Sequence, residues 1–170
     1  MNFVESKRCR NIRRVLIAMF IICGYMLSTT FCAAVIENNG KESYEAMTAL
    51  NLAFGAMGED RIVYRNPVVG GIYIALPFIG FMFMFFDKKS NLKNIVGIIC
   101  GIVGALSIAL PIGASKELIA GIGAVVSIAF YVIITNLSAV SVLFVIDDRN
   151  KQRKNAKLTG SGSRLSKHED

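Results

Sequence analysis

The chain has 170 residues, of which 54% are hydrophobic and only 18% charged, with 15 glycines, no Trp and a formal net charge of +7. Four runs without a single Asp, Glu, Lys, Arg or His cover residues 15–36, 67–86, 95–114 and 118–146. A soluble domain of this size that buried all four would keep almost no polar surface, so the composition excludes an ordinary water-soluble globule. Each run reaches the roughly 20 residues that a helix needs to cross about 30 Å of hydrocarbon. The expected fold class is therefore an all-α membrane protein with four transmembrane helices and an outside amphipathic helix between the first two.

The first segment, 1–14, is a basic cytoplasmic N-terminus with five Lys/Arg. Residues 87–94 hold three more and 147–170 hold seven, against four in the two alternate connections, 37–66 and 115–117. Basic loops stay on the cytoplasmic side, so both termini are expected in the cytoplasm, with the chain integral to the plasma membrane. The same placement accounts for the positive charge by topology, without nucleic acid as a partner. Cys9 stands between Arg8 and Arg10 near the membrane, in the setting of an acylated juxtamembrane thiol, although an unmodified thiol is the simpler expectation.

The 15–36 run is longer than the apolar core of about 7–15 residues in a secretory signal, so it is expected to stay uncleaved as the first span. Cys23, Cys32 and Cys100 all fall within expected spans, which leaves no extracellular disulfide framework. In the outside loop 37–66, Glu37-Asn38-Asn39-Gly40 is a turn-forming group. Residues 42–57 then read as an amphipathic helix, because Tyr44, Met47, Leu50, Phe54 and Met57 recur at spacings of three and four. The loop is mildly acidic and suits cationic partners.

Pro77 lies inside the second span, where it frees the carbonyl of Tyr73 and predicts a helix kink. Pro111 acts similarly near the outer end of the third. That third span carries Gly97, Gly101 and Gly104, including the GxxxG 97–101. Such a face admits a neighbouring helix backbone at close range. On the fourth span Ala120, Ala124, Ser127, Tyr131, Thr135 and Ser138 fall within an arc of about 80°. This small-and-hydroxyl stripe is expected to pack on the glycine face, the hydroxyls bonding back one turn. Its alternative role is the wall of a polar pathway. Asn136 lies on the opposite face with Val125, Ala129, Val132 and Val140, near mid-membrane. A buried amide in hydrocarbon is costly when unpaired, so an interhelical hydrogen bond is expected there, within the chain or to another protomer.

The tail 147–170 is basic and expected to be partly disordered, its early cations facing anionic lipid headgroups. The first span has no acidic residue of the kind small multidrug exporters use. The outside loop lacks the Trp and Cys marks of claudin-like proteins, and the Asp cluster of CDP-alcohol phosphotransferases is missing. No Walker motif, nucleophile elbow or H-E-x-x-H occurs. The sequence therefore predicts no catalytic, cofactor-binding or metal-binding residues and no cofactor. The expected function is a non-enzymatic helical bundle acting as an accessory, assembly or scaffold subunit, with the bilayer and a homo-oligomeric or membrane-protein partner around it. The alternative is a small oligomeric transporter or channel for a neutral solute, without proton coupling through buried charge.

Overall fold

A computed structural model describes residues 6–38, 41–55, 67–87, 91–114 and 118–165. Helix α1 spans Lys7–Met26. The Ser6 hydroxyl opens it by accepting from the Cys9 N–H at 3.4 Å. At its end the hydroxyls of Ser28 and Thr29 donate to the carbonyls of Tyr25 and Met26, both at 2.8 Å, and so occupy groups the helix leaves open. The expected first span over 15–36 is therefore corrected. Its helical part ends at Met26, and strand β1 (Cys32–Asn38) forms the remainder.

The expected amphipathic helix over 42–57 is also corrected. Strand β2 occupies Lys41–Met47, and only Ala49–Phe54 is helical, as α2. β1 and β2 pair antiparallel from Cys32↔Met47 to Asn38↔Lys41, which leaves two residues, Asn39 and Gly40, between the paired ends. Met57 lies outside the described residues. Thr48 starts α2 by accepting from the Asn51 N–H at 3.1 Å, and Gly55 ends it with φ 91°, a conformation that favours glycine.

Helix α3 spans Pro67–Phe86 and α4 spans Leu92–Ala114. The last expected span, 118–146, divides into β3 (Leu118–Ala120) and the 44-residue α5 (Ile122–Leu165). β3 pairs antiparallel with β1, giving the sheet order β2-β1-β3. The all-α expectation thus gives way to a mostly helical chain with a three-stranded sheet at one end. The expected partly disordered tail is helical in backbone as far as Leu165, because the α5 ladder continues through the basic residues.

Among the described residues, three helices are long and apolar enough to cross a membrane: α3, α4 and, within α5, Ile122–Lys154, each holding an 18-residue stretch whose mean hydropathy is 2.1, 2.5 and 2.2 in turn. They are compatible with an integral membrane protein. α1 falls short because its first eight residues carry five cations, which leaves residues 15–26 as its apolar part.

The helices pack in a cycle, α1 on α3, α3 on α4, α4 on α5 and α5 on α1, with α2 against α3. Gly80 of α3 receives the ring of Phe20, so that a Cβ there would collide with Cε1 and Cζ of that ring. Phe31 is fully buried beneath the sheet, its ring 5.2 Å from that of Tyr73. Its N–H donates to the Met47 carbonyl at 2.8 Å and its carbonyl accepts from Gly121 at 3.0 Å. One residue thereby joins the exit from α1, the end of β2 and the start of α5.

Candidate functional site: the α4–α5 seam and its polar end

The α4 glycines are where α5 comes closest. A Cβ on Gly104 would stand 2.7 Å from the ring of Tyr131. On Gly101 it would stand 2.8 Å from the Tyr131 carbonyl and collide with Oγ1 of Thr135, and on Gly97 it would collide with Oγ of Ser138. Absence of side chains on one helix is thus what admits the hydroxyl side chains of the other. Thr135 Oγ1 donates to the Tyr131 carbonyl at 2.9 Å, one turn back along its own helix.

The inward face of α5 is Ala124, Ser127, Tyr131, Ile134, Ser138 and Ser141, all buried and spaced alternately three and four residues apart. Ala120 departs from this stripe. It belongs to β3, opposite Cys32, and is exposed. The hydroxyls of Ser127 and Ser138 have no hydrogen-bond partner among the described residues. Filled by the Tyr131 ring and closed against glycine, the seam is packed rather than open along these residues.

Asn136 does not reach another helix of the chain, which corrects that part of the expectation. Its side chain is exposed, and Nδ2 donates to the Val132 carbonyl of the preceding turn at 2.8 Å. Pro77 is buried in α3 and faces Gly24 of α1, where an added Cβ would stand 4.0 Å from the Pro77 Cβ. Around this pair Phe20, Ile21, Leu27, Ile74 and Phe78 line an apolar groove of about 310 Å³.

Sequence reasoning passed over the polar groups at the other end of the seam. Lys93 and Asn94 belong to the first turn of α4 and are 2% and 1% exposed, so neither is a loop residue. The Lys93 N–H donates to Asp87 Oδ2 at 3.1 Å, and Asn94 Nδ2 donates to Asn91 Oδ1 at 2.8 Å. The signal was present: Lys93 and Asn94 lie four and three residues before Gly97, on the same helix face. Cys9 is also buried, with its thiol 3.9 Å from Asp148 Oδ2, an arrangement that turns it away from the acylation its neighbours suggested.

Among the described residues, no three His, Cys, Asp or Glu side chains converge where they could hold a metal ion. No protein-family model matches the chain, and no curated protein or solved structure matches it.

Proposed function

We propose that the protein is a non-enzymatic membrane scaffold or accessory subunit whose outputs are its sheet end and its helix faces. In this reading all four long helices sit in the bilayer, with the sheet outside and both termini cytoplasmic, which the distribution of Lys and Arg supports. In this arrangement α1 crosses with a short apolar part of about 18 Å. The shortfall lies on the sheet side, where Phe31 and Cys32 are buried. The cations of residues 7–14 and those of α5 beyond its apolar part, from Arg149 to Lys154, lie at the inner headgroups.

The observation that carries this proposal is the packing of Tyr131, Thr135 and Ser138 onto Gly104, Gly101 and Gly97. Those hydroxyl side chains are the ones that would line a pathway, and here they occupy the contact between two helices. The sheet end supplies a surface instead. Tyr44 is 62% exposed and its hydroxyl donates to Glu42 Oε2 at 3.2 Å, on the same face of β2. A phenol paired with a carboxylate suits a polar or cationic partner surface.

The test is a pair of measurements on the full chain. Purification in mild detergent should bring down a defined membrane-protein partner that Tyr44→Ala with Glu42→Lys releases while the variant stays folded. Reconstituted into liposomes, the protein should leave glycerol and urea permeability at the level of empty vesicles. Flux above that level would overturn the scaffold assignment.

A further inference from the structure

The outward side of α5 carries a second regular face. Val125, Ala129, Val132, Asn136, Ala139 and Leu143 are spaced alternately four and three residues apart, and all are exposed. This is the 3.5-residue repeat of a helix that packs along its length on another helix. It lies away from the inward face that α4 and α1 cover, and it runs about 27 Å at 1.5 Å per residue, within the apolar stretch of α5.

Asn136 is the one polar side chain among those six. It makes a single hydrogen bond among the described residues, to its own helix, so three of its four donor and acceptor positions are unused. An amide on the outside of an apolar helix, in hydrocarbon, is costly unless something pairs with it. A single polar residue at such a position is the established device by which a helix pair fixes its register.

We propose that this outer face of α5 is a self-association surface, on which a second copy packs its own α5 in parallel about a two-fold axis. Several features select a second copy over a chain of different sequence. Copies oriented by the same loop charges insert the same way round, so their α5 helices are parallel and equivalent residues lie at equal depth. Asn136 then meets Asn136, and a carboxamide, being both donor and acceptor, complements itself. Ala129, two turns before it, and Ala139, about one turn after it, leave room for the backbones to approach. The inference rests on α5 crossing a membrane and is independent of what the sheet end binds.

The experiment uses the full chain in native membranes, with single cysteines introduced by Val132→Cys, Ala139→Cys and Leu143→Cys, and Ile99→Cys on the exposed side of α4 as control. The four native cysteines are buried and do not compete. Copper-phenanthroline oxidation should give a band at twice the 18.5 kDa chain mass for the three α5 positions and none for Ile99→Cys. Adding Asn136→Leu to Ala139→Cys should lower the dimer fraction about threefold, the scale of an average interhelical hydrogen bond, while Asn136→Gln retains it. No dimer at any α5 position, equal dimer at Ile99→Cys, an adduct of another mass, or a yield unchanged by Asn136→Leu would each overturn the proposal.

Discussion

The phenol of Tyr73 donates to the carbonyl of Ser107 at 2.6 Å, joining α3 to α4. Ser107 lies four residues before Pro111, so its carbonyl is the one that proline leaves without a helical N–H. Tyr73 in turn lies four residues before Pro77, whose ring removes the N–H that the Tyr73 carbonyl would accept. Two prolines thus act on one contact: the phenol of one residue supplies what Pro111 took from another helix. In an apolar surrounding no water supplies that bond.

Removing the phenol should be costly only while the proline is present. Tyr73→Phe is expected to destabilise the protein by about 1–2 kcal/mol, because a buried carbonyl loses its donor. In a Pro111→Ala background the backbone N–H returns, and the same substitution should cost markedly less. Unfolding in mixed detergent, read as a double-mutant cycle, checks the difference. Equal costs in both backgrounds would mean that the phenol serves some other contact.

Glycines in the two central helices should respond with opposite signs. Gly101→Ala puts a methyl against Thr135 and the Tyr131 backbone, and should cost about 1–3 kcal/mol as an overpacked contact. Gly71→Ala meets nothing within 4 Å and should stabilise α3 by about 0.5–1 kcal/mol through helix propensity. Ile99→Leu, on the exposed side of α4, should be neutral. Thermal melts of the three variants in one detergent decide the matter.

Phe31 is the largest side chain buried beneath the sheet, and Phe31→Ala should cost about 3–5 kcal/mol. Because its backbone joins β2 to the start of α5, the loss should appear first at the sheet end. Hydrogen exchange should rise in β1, β2 and β3 before it rises in α4.

Burial pushes the Cys32 thiol up to about 11 from its ordinary 9.0. The folded chain therefore keeps this proton to higher pH than the unfolded chain does. Stability from this source is constant below about pH 9 and falls between pH 9 and 11, since the folded state then binds more protons. Thermal melts should show a shallower fall over that window in Cys32→Ala than in the wild type. In the native protein Cys32 should also react slowly with maleimide at pH 8, the thiolate being the reactive form.

How much of this was legible in the chain depended on which physical signal dominated locally. Uninterrupted apolar length marked α3 and α4 almost to the residue, and a Cβ on Gly97, Gly101 or Gly104 of α4 would press on α5. The run 15–36 misled because hydropathy cannot separate a buried strand from a helix. The hydroxyls of Ser28 and Thr29 and the two-residue Asn39-Gly40 connection were the signals of a helix end and a hairpin. In 42–57 a helical spacing of apolar residues joined Met47, which is fully buried in β2, to Leu50 and Phe54, which are exposed on α2. Lys93 was hidden by its charge: counted as loop, it belongs to a helix whose inward face continues one turn past Gly97. Asn136 was readable as a polar residue out of place, but its bond to its own helix depended on a rotamer the sequence does not specify.

The most direct test of the membrane account is which side of the bilayer each end of the helices occupies. Ala46→Cys, exposed on β2, and Asn150→Cys, exposed on α5 beyond its apolar part, serve as single reporters in a chain whose native thiols are buried. A membrane-impermeant maleimide applied to intact cells should label Ala46→Cys at once and Asn150→Cys only after permeabilisation. Labelling of Asn150→Cys in intact cells with Ala46→Cys protected, or labelling of both, would contradict an outer sheet carried on helices with cytoplasmic termini.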